Sequence, residues 1–178
     1  MHIAITGAAG FLGQRLVQQL LTSGELRQQP ITRLTLIDQI EAPLPDAGNI
    51  AVTSRALDIT EPGALDSVLE QRPDVIYHLA AVVSSAAEAD LELGMRVNFD
   101  ATRALLEGCR EQELTDTRLI MASSVAAYGG ELPEVLDDRT ALHPQNSYGA
   151  QKAMCELLIN DYSRRGLIDG LVLRLPTI

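Results

Sequence analysis

Thr6-Gly7-Ala8-Ala9-Gly10-Phe11-Leu12-Gly13 is the stretch that decides the fold of this 178-residue chain. It joins a short apolar run, Ile3 to Thr6, to a segment in which Leu12, Leu16 and Leu20 recur every fourth position, the spacing of one helix face. Closely spaced glycines between a strand and a helix allow a tight turn and a close approach of backbone to a bound group. The helix N-terminus beyond them offers unpaired N–H donors to an anion such as a pyrophosphate. An ordinary strand-to-helix turn shows the same glycines, so the remainder of the chain has to discriminate.

Outward from this turn, Leu34 to Asp38, Val75 to Leu79, Leu119 to Ala122 and Leu171 to Leu175 are further apolar runs, and Ala51 to Ser54 is a shorter one. Such runs suit strands buried on both faces of a parallel sheet. Leu65 to Leu69, Val97 to Leu106 and Ala150 to Tyr162 carry helical periodicity between them. Strand and helix in alternation predict an α/β fold: a Rossmann-type doubly wound parallel sheet in the order 3-2-1-4-5-6, with helices on both faces. Loops are expected at Ser23 to Thr32, around Pro43 and Pro45, and from Gly129 to Asn146. Residues 1–178 read as one domain.

A net charge of -10 and a pI near 4.6 repel phosphate backbones and anionic bilayers, so neither nucleic acid nor membrane is an expected partner. Cys109 and Cys155 stand without metal-ligand spacing and read as buried thiols in a reducing cytoplasm. With no apolar run of spanning length and no signal-peptide pattern at the start, the chain is expected to be soluble and cytoplasmic.

Asp38 ends the second strand, where a carboxylate accepts hydrogen bonds from both ribose hydroxyls of a dinucleotide and repels a 2'-phosphate, which favours NAD over NADP. Asp58 and Ile59 follow the third strand, placed to offer an acceptor and an apolar wall to an adenine. Tyr148 and Lys152 lie four residues apart on one helix face, and Ser124 ends the fifth strand. A phenol ionises near pH 10, and a neighbouring ammonium would favour its phenolate as a general base, with the serine holding the same substrate oxygen. As a pair alone, the tyrosine and lysine are equally a surface aromatic lying on a lysine stem. Ser84 and Ser85 sit where a polyhydroxy substrate could meet them, or in a solvated turn. His78 reads as a satisfied histidine at a strand end, and Arg174 and Arg139 are the cations considered for a substrate carboxylate.

These motifs together, with His78-Leu79-Ala80-Ala81, Asn98 and Tyr148-Gly149-Ala150-Gln151-Lys152 in order, resemble the extended short-chain dehydrogenases, the NAD-dependent epimerase/dehydratase family. The wording Arg33 to Asp38, Ser147 to Lys152 and Asp161 to Gly166 is most similar to its D-erythronate dehydrogenase group. The resemblance implies Tyr148, Lys152 and Ser124 as catalytic residues, with Ser84, Ser124 and Tyr148 toward substrate. It implies cofactor positions at Gly7, Gly10, Phe11, Leu12, Asp38, Asp58, Ile59, Leu79, Ala80, Tyr148 and Lys152, and a scaffolding position at Asn98. The implied reaction is oxidation of the C2 hydroxyl of D-erythronate or a similar sugar acid with NAD. A nucleotide-sugar epimerase or dehydratase, and a non-catalytic NAD sensor, are the competing expectations. Members of the family continue into a C-terminal substrate-binding region, which is expected to be absent from this chain. Pairing of Glu88 to Gln112 with Tyr148 to Arg164 across a two-fold axis would make a homodimer.

Overall fold

A computed structural model describes residues 1–176. Thr177 and Ile178, which close the predicted domain, lie outside the described residues. The chain runs β1 (His2–Thr6), α1 (Phe11–Ser23), β2 (Glu25–Leu26), β3 (Gln29–Pro30), β4 (Arg33–Asp38), β5 (Ala51–Ala56), α2 (Asp66–Leu69) and β6 (Val75–His78). It continues through α3 (Ser84–Ala89), α4 (Leu91–Gly94), a π-helical turn (Met95–Asp100), α5 (Ala101–Glu111) and β7 (Arg118–Ser124). A 3-10 turn (Val125–Ala127), α6 (Ser147–Arg164) and β8 (Asp169–Leu175) complete it.

Six strands form one parallel sheet in the order β5-β4-β1-β6-β7-β8. Counting only the members of that sheet, this is the 3-2-1-4-5-6 arrangement. The two-residue strands β2 and β3 are additional: they pair antiparallel with each other, inside the segment expected to be a plain loop. Arg27 and Gln28 turn this hairpin with φ of 53° and 63°. Two successive positive φ values suit a tight hairpin but are usually supplied by Asn-Gly or Asp-Gly, so Arg-Gln gave no local signal.

The sheet is the middle of three layers. Ile3, Ile5, Leu34 and Leu36 pack under Val17 and Leu20 of α1 on one face, while Ile76, Leu119 and Met121 meet Leu105, Leu106 and Ile159 of α5 and α6 on the other. α1 stops at Gly24, whose φ of 67° lets its N–H return to the Leu20 carbonyl at 2.9 Å. The stretch Glu88 to Gln112 is not one helix: Asp90 is extended at φ -137° and ψ 96°, and its side chain caps α4 by accepting from the Leu93 N–H. Among the described residues no helix is long and apolar enough to cross a membrane.

The order reverses at β1, which pairs with β4 on one side and β6 on the other. The carboxyl ends of β1 and β6 therefore flank the crevice in which open α/β sheets bind ligands. Gly7 leaves β1 there, and Leu79 leaves β6.

Candidate active site

Gly7 has a φ of 74°, and a Cβ on it would lie 2.7 Å from the Ala80 nitrogen, so only glycine lets the first turn lie against the loop after β6. A Cβ on Gly13 would overlap the Gly7 carbonyl. Gly10 is the N-cap of α1 with no side-chain cap, and the first intrahelical bond returning to it comes from Gln14, at 3.0 Å. The amides of Phe11, Leu12 and Gly13 are thus the free donors of the first helical turn. Asp38 stands beside them: Oδ2 accepts from the Ala9 N–H at 2.9 Å and Oδ1 from the Gln39 N–H at 2.7 Å.

Two cavities open from this turn and share Gly7 and Gly10. One, of about 380 Å³, runs past Asp38 and Ile40 to Leu57, Ile59, Leu79 and Ala80. The other, of about 310 Å³, runs past Phe11 and Leu12 to Ser124, Tyr148 and Lys152. An elongated ligand with a diphosphate at its centre matches that shape, since the amides of the turn would meet the anion where the two cavities join. A larger cavity of about 500 Å³, between α1 and Pro43–Pro45, is lined by Phe11 but by none of Asp38, Ser124, Tyr148 and Lys152.

The chemical end is built by close packing of α6 on β7. A Cβ on Gly149 would collide with the Ala126 carbonyl, so the glycine after Tyr148 lets the helix come down onto the turn that follows Ser124. Asn146 caps α6 by accepting from the Gly149 N–H at 2.7 Å, and Glu88 accepts from the Ser147 N–H at 2.8 Å. Lys152 is buried at 3% exposure, and its Nζ donates to the Ala122 carbonyl at 2.9 Å and lies 5.6 Å from the Tyr148 ring centroid. Burial lowers its ammonium to about 8, while Cys155 and Glu156 act the other way. Lys152 is also the chain's only lysine, among 14 basic residues. The Tyr148 phenol is raised above its ordinary value by burial, with a hydrogen bond to Ser124 opposing. The phenolate favoured by the lysine in the sequence reading is therefore not the resting form of the ligand-free site.

Behind these groups runs a buried polar string with a fixed direction. The Ala80 N–H donates to Thr6 Oγ1 at 3.3 Å, and Thr6 meets His78 Nδ1 at 2.8 Å. His78 Nε2 meets Thr102 Oγ1 at 2.9 Å, and Thr102 donates onward to the Asn98 carbonyl at 2.8 Å. Because Thr102 gives its proton to that carbonyl, it accepts from Nε2–H; Nδ1 is then the acceptor for Thr6. Asn98 itself is buried in the π-helical turn, where Oδ1 accepts from the Val82 N–H at 2.9 Å and Nδ2 donates to Gln151 at 2.8 Å. It ties the cavity wall at Val82 to the helix carrying Tyr148.

Residues 3–178 match the NAD dependent epimerase/dehydratase family. The chain belongs to this family. It is 52% identical over its whole length to a D-erythronate dehydrogenase of Cupriavidus necator and 49% identical to one of Haemophilus influenzae, in each case covering 55% of the relative. A solved structure from Agrobacterium tumefaciens, described as a nucleoside-diphosphate-sugar epimerase, superposes over 100% of this chain and 53% of its own with a TM-score of 0.95 at 46% identity. The chain thus spans about half the length of these relatives.

In this epimerase/dehydratase chain, Gly7, Gly10, Phe11, Leu12, Asp38, Ile59, Leu79, Ala80, Ser124, Tyr148 and Lys152 all line or adjoin the paired cavities. Two other candidates stand apart. Oδ1 of exposed Asp58 accepts from the Thr60 N–H at 2.9 Å and the Thr60 hydroxyl at 2.8 Å, which lowers its carboxyl, and the wall at that point is Leu57 and Ile59. Ser84 opens α3 exposed, and Val82 and Val83 occupy the cavity side instead. Arg174 is withdrawn from the role of carboxylate partner, because its guanidinium is bound to Glu156 and Tyr128. Arg139 is exposed in the loop after β7. Glu156 was missed, although Tyr148, Lys152 and Glu156 repeat at intervals of four on one helix face.

Proposed function

We propose that this chain carries the cofactor half and the catalytic groups of an NAD-dependent dehydrogenase that oxidises the C2 hydroxyl of D-erythronate or a similar sugar acid to the 2-oxo acid. The observation that carries this reading is the meeting of Ser124, Tyr148 and Lys152 in a cavity that shares Gly7 and Gly10 with the cavity bounded by Asp38. The names of the D-erythronate dehydrogenases of C. necator and H. influenzae support the substrate class.

The glycine turn and the first amides of α1 would hold the diphosphate, Asp38 the adenosine ribose, and Leu57 and Ile59 the adenine. A bound nicotinamide supplies the acceptor for the C2 hydrogen, which leaves with its electron pair as hydride. Tyr148 takes the hydroxyl proton as that carbon becomes a carbonyl, and Ser124 holds the oxygen in line. Lys152, charged below about pH 8, stabilises the developing phenolate. A homodimer packed through α5 and α6 belongs to the same proposal, with Leu157 of α6 66% exposed on the surface it would use.

The test is NADH absorbance with NAD and a panel of four-carbon sugar acids, for wild type beside Tyr148→Phe. Signal with D-erythronate that falls on the order of 10²-fold or more in the variant is expected. Absence of NADH from every sugar acid, under conditions where NAD binds, would exclude the reading. The A. tumefaciens description favours a second reading, a nucleotide-sugar epimerase using the same tyrosine. Conversion of a UDP-sugar without net NADH would select it. A non-catalytic NAD sensor would bind the cofactor and give neither product.

A further inference from the structure

Glu156 is a carboxylate at 2% exposure, one helical turn beyond Lys152, and both of its oxygens are occupied. Oε1 accepts from the Ser123 hydroxyl and from Arg174 Nε at 3.2 Å; Oε2 accepts from Arg174 Nε at 3.0 Å and Nη2 at 2.8 Å. The remaining guanidinium nitrogen, Nη1, donates to the Tyr128 hydroxyl at 2.5 Å, and that hydroxyl donates to the Asp137 carbonyl at 3.0 Å. Arg174 also lies 4.9 Å from the Tyr128 ring centroid. Two consecutive residues of β7 are tied to α6, Ala122 to Lys152 and Ser123 to Glu156, and the next, Ser124, lines one cavity with Tyr148.

We propose that Glu156 is a positioning residue: clamped between Arg174 of the edge strand and Ser123 of β7, it fixes the register of α6 on β7 and keeps a negative charge one turn behind the Lys152 ammonium. The proposal rests on the reading of Ser124, Tyr148 and Lys152 as the working groups. A slip of α6 along β7 would break both bonds and move Tyr148 away from Ser124 at once, since the phenol and the amine ride on the helix while Ser124 and the Ala122 carbonyl ride on the strand. A neutral side chain of the same shape would preserve the contact with Ser123 and lose the charge. The groups around Lys152 are Tyr148, Cys155 and Glu156 of α6, His78 of β6, Ser123 and Ser124 of β7, and, through Glu156, Arg174 of β8. His78 is neutral at ordinary pH, so Glu156 is the nearby carboxylate that favours the ammonium.

Because the chain has a single lysine, ¹³C-lysine labelling gives one side-chain signal, and its pH titration can be followed by NMR in the ligand-free protein. Wild type is expected to titrate near 8. Glu156→Gln should move the midpoint down by on the order of one unit. Glu156→Gln combined with Arg174→Gln removes the partly buried guanidinium that would lose its carboxylate partner in the single variant, and should give a smaller displacement in the same direction. A merely structural ion pair would lower the melting temperature and leave the midpoint where it was; that result in a folded variant overturns the proposal. The titration uses no substrate, so a failure to form NADH would remove the dehydrogenase reading and leave this result standing.

Discussion

Among single residues, His78 shows how burial and hydrogen-bond direction together fix a chemical state. Fully enclosed, with one ring nitrogen accepting and the other donating, its pKa is lowered to about 3, chiefly by desolvation and secondarily by Lys152. An unfolded histidine titrates near 6.5, so the unfolded chain binds the extra proton first as pH falls. The contribution of neutral His78 is therefore intact above about 6.5 and is progressively lost toward 3. Urea unfolding between pH 6.5 and 5 should show wild type losing up to about 1.4 kcal/mol per pH unit more than His78→Gln. Parallel pH dependences would show that the histidine is not the group responsible. From sequence, His78 reads as a satisfied histidine at a strand end because Tyr148 already supplies a base. For Asp58 and Ser84 the chain position says less, because a residue's distance along the chain from a strand end does not say which way its side chain turns. Thr60 captures the carboxylate of Asp58 two residues on, and α3 begins at Ser84 with the hydroxyl exposed.

At the scale of elements, the site depends on the first turn of α6. Tyr148 is the second residue of that helix, and two side-chain acceptors, Asn146 and Glu88, satisfy the amides around it. Asn146→Ala removes one of them and should cost about 1 kcal/mol of stability by denaturant titration. Amide hydrogen exchange should quicken at Ser147 to Gly149 while that of the central turns stays slow. Exchange that rises evenly along α6 would mean that the cap does not act locally. The strands were legible as short continuous apolar runs, and α1 and the Tyr148–Lys152 face from a period of three to four residues. The π-helical turn, the Arg27–Gln28 hairpin and the Arg174–Glu156 clamp were not. The first two depart from the usual turn chemistry. The clamp joins residues on different elements, and no local pattern marks that pairing.

Across the whole molecule, the two faces of the sheet are unequally covered. α5 and α6 shield one face of β6, β7 and β8, whereas on the opposite face Leu171 and Leu173 are each 44% exposed beside a wholly apolar groove lined by Leu12, Leu16, Ile120 and Leu175. Parallel sheets ordinarily bury both faces. Two apolar surfaces are therefore candidates for the proposed dimer interface, this one and the α5–α6 face with Leu157. Light scattering should give a dimer for wild type, a monomer for Leu157→Glu and an unchanged dimer for Leu171→Glu. The reverse pattern would move the interface to the open sheet.

The solitary lysine has a further consequence. A protease specific for lysine has one bond to cut, Lys152–Ala153, and that bond lies inside a buried stretch of α6. The folded chain should resist it until the helix lifts from the sheet, because a protease needs several residues of extended backbone at the cut. Each cleavage event then marks one opening of α6, and the first fragment to accumulate ends at Lys152.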